Sequence, residues 1–305
     1  MADPRQNFVL VTGAEGFLGR IFTALLEGSG ERVIALDSLT SPSSAGASQT
    51  VRAACDIRNK AELENIFRQN CIDRIVHLAA ILPTAAQKDP AGATEVNIAG
   101  SLNLLALGLR YGLRRMVFAS SLSVYGTCAA GRVVSEEERA APQDLYGAAK
   151  LYIEQQGRAF AASSKLEFLS LRIGRVVGPG ARSTTSAWRS EIFELLQSEQ
   201  PASVALPYMA SERVLLAHVE DAARALLAVL RATRPAHTVY NAPCESWVVG
   251  DLKRKLESLN PKLRVTLGEE PVQGNPRSLD FSRFQREFAF TAMPLSERLL
   301  RAAGQ

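Results

Sequence analysis

Residues 9–19, Val-Leu-Val-Thr-Gly-Ala-Glu-Gly-Phe-Leu-Gly, constrain the fold more than any other part of the chain. An apolar run that reads as a buried strand passes into Gly13, Gly16 and Gly19 and then into a helical pattern. A strand that becomes a helix within so few residues must turn tightly, and Gly13 supplies the backbone freedom for the turn. Gly16 lets the backbone approach a ligand, and Gly19 lets the helix pack on the strand it has just left. The start of that helix exposes unpaired N–H groups and a positive dipole end. Gly13, Gly16, Phe17, Leu18 and Gly19 therefore read as a pyrophosphate cradle.

The next strand-like run, Val33-Ile34-Ala35-Leu36, ends on Asp37. A carboxylate there accepts hydrogen bonds from ribose hydroxyls and repels a 2′-phosphate. No arginine follows it closely, so NAD rather than NADP is the expected cofactor.

Strand-like runs at 8–12, 32–37, 50–56, 74–79, 115–120 and 166–173 alternate with helical patterns at 59–69, 90–111 and 145–163. Near-continuous apolar strands spaced by helices specify an α/β fold, a doubly wound parallel sheet of Rossmann type. After Ile173 the Gly178-Pro179-Gly180 break opens a proline-punctuated stretch. Residues 1–173 are thus expected to form the NAD-binding domain. Residues 174–305 are expected to form a smaller mixed C-terminal substrate lobe, with a segment near 215–241 returning to the core. The lobe's helical segments 188–197, 219–232 and 248–259 are expected to cap the strand ends, and 38–48 reads as a surface loop.

A chain of 305 residues that is 47% hydrophobic can bury a large core. Its four scattered cysteines form no metal-ligand spacing, so no metal is expected, and a reducing cytoplasm fits them. No apolar run is long enough to span a membrane, and residues 1–7 lack the pattern of a signal peptide. The net charge of +4 is spread along the chain rather than gathered into a stripe, which argues against nucleic acid. Of the 35 basic residues only seven are lysine. Arginine suits bidentate binding of carboxylate or phosphate, so a small anionic substrate is expected.

A second constellation is Ser120-Ser121-Leu122-Ser123 at a strand end, followed by Tyr146-Gly147-Ala148-Ala149-Lys150 opening a helix. The four-residue spacing sets Tyr146 and Lys150 on one helical face. With Thr12–Gly19, Asp56-Ile57, His77-Leu78-Ala79-Ala80 and Val96-Asn97, the chain resembles the extended short-chain dehydrogenase/reductase family nearly end to end. That family includes sugar-nucleotide epimerases, dehydratases and sugar-acid dehydrogenases.

The resemblance implies that Tyr146 is the acid/base, that Ser121 holds the reacting hydroxyl, and that Lys150 binds the nicotinamide ribose and lowers the pKa of the tyrosine. Such a shift needs about 4 kcal/mol, which an ammonium at about 4 Å supplies at an effective dielectric of about 20. It further implies that Asp56 and Ile57 flank the adenine, although Asp56 also reads as a simple cap. Leu78, Ala79, Ala80, Asn97 and Ile173 join the cofactor-binding residues, and His77 packs within its strand. The helices at 90–111 and 145–163 match those through which the family forms homodimers.

Dehydratases of the family carry an acidic pair where Leu122 and Ser123 stand, and epimerases commonly carry an asparagine where this chain has Arg175. The stretch 172–188 and the segment Glu212 to His218 look more like the branch that oxidises small sugar acids such as erythronate. Ser121, Ser123, Arg175 and Arg213 are the expected substrate-binding residues, the arginines holding a carboxylate. The expected activity is NAD-dependent oxidation of a secondary hydroxyl. A nucleotide-sugar epimerase and a non-catalytic NAD sensor are the alternatives.

Overall fold

The computed structural model describes residues 7–39, 50–129, 131–181 and 186–305. Most of the 38–48 loop, residues 1–6, and Ser183, Thr184 and Thr185 of the hydroxyl-rich stretch lie outside them. The first part of the chain forms β1 (Phe8–Thr12), α1 (Phe17–Gly28), β2 (Arg32–Asp37), β3 (Thr50–Ala54), α2 (Lys60–Gln69) and β4 (Ile72–His77). It continues through α3 (Pro83–Lys88), α4 (Pro90–Thr94), α5 (Ser101–Arg110), β5 (Arg115–Ser121), α6 (Leu145–Ala162) and β6 (Glu167–Ile173). There follow β7 (Arg175–Val177), α7 (Trp188–Glu194), β8 (Ala202–Tyr208), β9 (Arg213–His218), α8 (Val219–Arg231) and β10 (Val239–Asn241). The chain closes with β11 (Glu245–Val248), α9 (Val249–Leu259), β12 (Leu263–Glu270), α10 (Ser282–Phe288) and α11 (Leu295–Ala302).

Seven strands pair in parallel in the order β10-β6-β5-β4-β1-β2-β3. The chain runs outward from β1 through β2 to β3, returns to β4, and works outward on the other side, so the order reverses between β1 and β4. A cleft opens at such a switch point, beyond the C-terminal ends of the strands. Alternation along each strand covers both faces. Val9 and Val11 pack with Phe22 of α1 and Leu226 of α8, whereas Phe8 and Leu10 pack with Leu63 of α2, Leu104 of α5 and Ile153 of α6. This is the doubly wound Rossmann-type α/β fold that the alternating pattern specifies.

Three local differences from the sequence pattern have physical causes. The segment at 219–232 does not cap strand ends. As α8 it lies against α1 and the sheet, because Ala222, Leu226 and Val229 present one apolar stripe to that face. The run at 74–79 is shifted two residues earlier, to Ile72–His77, and the N–H of Leu78 closes the β1–β4 ladder on the carbonyl of Thr12 at 3.1 Å. The helix at 90–111 is interrupted by a π-helical turn over Glu95–Gly100, a feature that re-aims a side chain, here Asn97.

The smaller lobe contains a three-stranded sheet in the order β11-β9-β7 and the parallel pair β12-β8. Its own core joins Trp188 and Ile192 of α7 to Leu206, Leu256 and Leu299.

Behind the C-terminal end of β5, Glu154 of α6 is fully buried and takes a two-point ion pair from Arg172 of β6, at 2.6 and 3.0 Å. Arg172 also donates to the Tyr125 hydroxyl at 2.8 Å, and Ser120 donates to Glu154 at 2.5 Å. This pair anchors α6, with Tyr146 and Lys150, to the sheet. Removing one partner strands a buried charge, so Glu154→Ala is expected to lower the unfolding free energy in chemical denaturation by about 3–5 kcal/mol. The double replacement Glu154→Leu with Arg172→Met should recover most of that loss, and equal instability of the double variant would contradict this account.

Candidate active site

The glycine turn occupies the switch point. Gly13 has φ of +71°, and a Cβ there would lie 2.6 Å from the backbone nitrogen of Ala79. A Cβ on Gly19 would lie 2.0 Å from the carbonyl oxygen of Gly13. Both positions exclude a side chain, and Gly16 serves as the N-cap of α1 without any side-chain cap. The first N–H groups of α1, from Phe17 onward, consequently open into the cleft, a donor set suited to a pyrophosphate.

Asp37 ends β2 beside this turn and accepts hydrogen bonds from the backbone of Glu15 and Leu39, each at 3.1 Å. Arg52 of β3, which the sequence did not bring to this point, pairs with Glu15 at 2.6 Å. Its charge is therefore neutralised locally. The donor and acceptor set fits the diphosphate and free ribose hydroxyls of NAD better than an additional phosphate.

Other residues expected near the cofactor divide into lining and support. Leu78, Ala79 and Ala80 run along the glycine turn and are half-buried, while Ile173 lies in register beside Ser121 at the edge of the sheet. The amide of Asn97 is used fully on the backbone of Ile81, accepting at 2.7 Å and donating at 2.9 Å, and so clamps this segment. The carboxylate of Asp56 is taken up by the guanidinium and backbone of Arg58, and Asn59 caps α2 instead. Ile57 is buried beneath Gly100. His77 contacts Thr12 at 2.7 Å and Ser101 at 2.8 Å, and burial, reinforced by the charge of Lys150, holds its pKa down to about 3. It is a neutral strut.

Ser121 lies at the end of β5, where its hydroxyl accepts from the backbone of Ser123 at 3.1 Å and donates to the Ser123 hydroxyl at 3.2 Å. Asp144 caps α6 by accepting from Gly147 at 2.6 Å, which sets Tyr146 in the first turn, facing Ser121. Lys150, one turn later, has its ammonium 5.4 Å from the Tyr146 ring centre and 4.5 Å from the Phe118 ring. That ammonium donates to the carbonyl of Ala119 at 2.7 Å.

The electrostatics correct one expectation. Within the protein's own field Tyr146 is not lowered: burial pushes it up to about 12, with its hydrogen bond to Ser121 acting in the opposite direction. Lys150 is pushed down to about 7 by burial, against the attraction of Glu154. Desolvation disfavours both charged forms and outweighs the attraction between a tyrosinate and an ammonium that the Ala119 carbonyl holds aside.

Of the two arginines expected to meet the substrate, Arg175 opens β7, pairs in register with Leu216 of β9 and lies 5.6 Å from the Tyr208 ring centre. Arg213 is exposed, three residues earlier along β9, or about 10 Å further out at the rise of a strand. Arg189 was missed. It belongs to α7, and its charge reaches both Tyr146 and Arg175. Nothing in the local sequence separates it from the many arginines that merely form surface ion pairs.

On the face of α4 and α6 away from the sheet lies an apolar groove of about 250 Å³ lined by Ala93, Ile98, Leu145, Ala148 and Tyr152. Leu145 and Tyr152 are among the exposed large hydrophobic residues. No helix among the described residues is long and apolar enough to cross a membrane.

The family described as the NAD dependent epimerase/dehydratase family matches residues 9–242. UDP-glucose 4-epimerase of Azospirillum brasilense is 33% identical over 184 residues, covering 58% of this chain and 50% of the relative. Mitochondrial L-threonine 3-dehydrogenase of Bos taurus is 25% identical over 281 residues, covering 89% of this chain and 74% of the relative. The chain thus spans about half the length of the epimerases it matches. The solved structure of MoeE5 in complex with UDP-glucuronic acid and NAD superposes with a TM-score of 0.80 at 28% identity, covering 96% of each chain.

The burial of Lys150 carries a pH signature. Its pKa falls from 10.5 to about 7 on folding, so between these values the unfolded chain binds a proton that the folded one does not. Stability rises with pH across that window, and below it the burial penalty is present in full. Lys150→Met, which keeps the bulk and removes the charge, should therefore be more stable than the parent at pH 6. That advantage should shrink by roughly 2–3 kcal/mol at pH 9 in urea-unfolding measurements. An advantage independent of pH would show that Lys150 does not titrate there.

Proposed function

Since the chain belongs to the NAD-dependent epimerase/dehydratase family, we propose that it is an NAD-dependent oxidoreductase acting on a secondary hydroxyl of a small, polyhydroxylated and carboxylated molecule, a sugar acid. The observation that carries this reading is the convergence of Ser121, Tyr146 and Lys150 beside the glycine turn at the switch point of the sheet. Gly13, Gly16, Phe17, Leu18 and Gly19 would hold the diphosphate of NAD and Asp37 a ribose, with Leu78, Ala79, Ala80 and Ile173 lining the path between them. Asp56 and Ile57 would flank the adenine, while Asn97 keeps the lining segment in place.

Bound NAD supplies the acceptor for the hydride that leaves the carbinol carbon. Ser121 and Ser123 orient the hydroxyl oxygen. Tyr146 takes the hydroxyl proton as the alcohol becomes a ketone and returns it in the reverse direction. Lys150, fixed by the Ala119 carbonyl, would hold a ribose hydroxyl. Arg175 gives the substrate lobe a cation for a carboxylate. The bovine relative is named for a small molecule bearing both a secondary hydroxyl and a carboxylate, which supports a substrate of that size.

The epimerase relatives favour a second reading, in which the same groups oxidise and re-reduce a nucleotide sugar. Incubation with NAD and a panel of aldonates, uronates and UDP-sugars separates the two by absorbance of NADH. Net NADH is expected with an aldonate or uronate, and Tyr146→Phe should reduce the rate by about 10²–10⁴-fold. Interconversion of a UDP-sugar without accumulation of NADH would replace the dehydrogenase reading with the epimerase one.

The apolar groove along α4 and α6 supports a homodimer built on these helices. Tyr152→Arg is expected to shift the protein from dimer to monomer in sedimentation velocity, and an unchanged assembly would discard this interface.

A further inference from the structure

The interior arginines of this chain are mostly matched to acids. Arg172 meets Glu154, Arg115 meets Glu167, Arg277 meets Glu212 and Arg298 meets Asp221. Arg175 and Arg189 are neighbours of one another and meet no carboxylate among the described residues. Nη1 of Arg175 and Nε of Arg189 are buried without a hydrogen-bond partner. The side-chain hydrogen bond of Arg175 runs from Nη2 to the carbonyl of Gln273, at 3.3 Å.

Their placement is specific. Arg175 lies 5.6 Å from the ring centre of Tyr208, which meets Trp188 edge-on at 6.1 Å, and Arg189 lies 6.0 Å from the Trp188 ring. The backbone of Gly178, just past β7, donates to the carbonyl of Arg189 at 3.0 Å and ties α7 to the strand that Arg175 opens. Two guanidinium groups are thus fixed around one aromatic pair. Burial, and then the charge of Arg175, lower the pKa of Arg189, whose own charge favours ionisation of Tyr146. Like charges held together out of water destabilise a fold, an arrangement expected where an anionic ligand completes the site.

We propose that Arg175 and Arg189 form a two-arginine clamp for the carboxylate of the substrate whose hydroxyl Tyr146 deprotonates. This rests on the oxidoreductase reading and deepens it by naming the group that is gripped. Guanidinium forks take carboxylate or phosphate alike. The carboxylate is favoured because Arg189 is electrostatically coupled to Tyr146 itself, so the anion lies close to the reacting carbon. In a nucleotide sugar the whole hexose separates the diphosphate from the oxidised position.

Trp188 reports on the clamp directly. In a Trp247→Phe, Tyr146→Phe background, which leaves one tryptophan and blocks turnover, fluorescence is titrated with erythronate, gluconate, erythritol, glucitol and UDP, with and without NAD. The aldonates should perturb Trp188 saturably and the alditols should not. Arg175→Gln and Arg189→Gln, each added to that background, should weaken aldonate binding by about 10- to 100-fold. Each should also raise the thermal unfolding midpoint, since each relieves a like-charge contact. Arginines with a purely structural role would lower that midpoint.

Aldonate affinity unchanged in both variants, or binding of none of the anions, overturns the clamp. UDP binding that depends on both arginines, without aldonate binding, overturns the carboxylate assignment. Aldonate binding through both arginines in a protein that reduces no NAD with any aldonate or uronate keeps the clamp and ends the oxidoreductase reading.

Discussion

The close backbone contact at the switch point is the constraint on which the rest of the molecule depends. The carbonyl of Gly13 sits where a Cβ of Gly19 would be, and the backbone of Ala79 sits where a Cβ of Gly13 would be. With those contacts, α1 can lie flat on β1, its first N–H groups open into the cleft, and the end of β4 runs directly beside them. The position of Asp37 at the end of β2 and of Ser121 at the end of β5 then follows from parallel pairing, because every strand of the sheet delivers its C-terminal end to the same edge.

At that edge, burial governs the charges more than attraction between them does. Tyr146 moves up and Lys150 moves down because each is removed from water, and the ammonium is engaged by a carbonyl rather than by the phenol. Just beneath, Glu154 and Arg172 are equally buried but matched two points to two, so that pair keeps its charges and holds α6 in register with β5 and β6. Across the cleft, Arg175 and Arg189 are cations without a matching acid among the described residues. The matched pair behind the site holds α6 to the sheet, whereas recognition of an anion is the role we propose for the unmatched pair in front of it.

What the sequence by itself determined was whatever depends on neighbours along the chain. Backbone freedom at Gly13, the strand-turn-helix junction, the alternation of parallel strands with helices, and the four-residue step from Tyr146 to Lys150 are local or periodic, so they survive in one dimension. Tertiary structure alone decided what depends on which distant groups share a space. The π-helical turn that lets Asn97 clamp Ile81, the capture of Arg52 by Glu15, and the meeting of Arg175 with Arg189 all join residues whose separation in sequence carries no signal. The direction of the Tyr146 and Lys150 shifts belongs to the same class. Spacing sets which side chains are adjacent, but the loss of water that moves their pKa values comes from packing contributed by the whole fold.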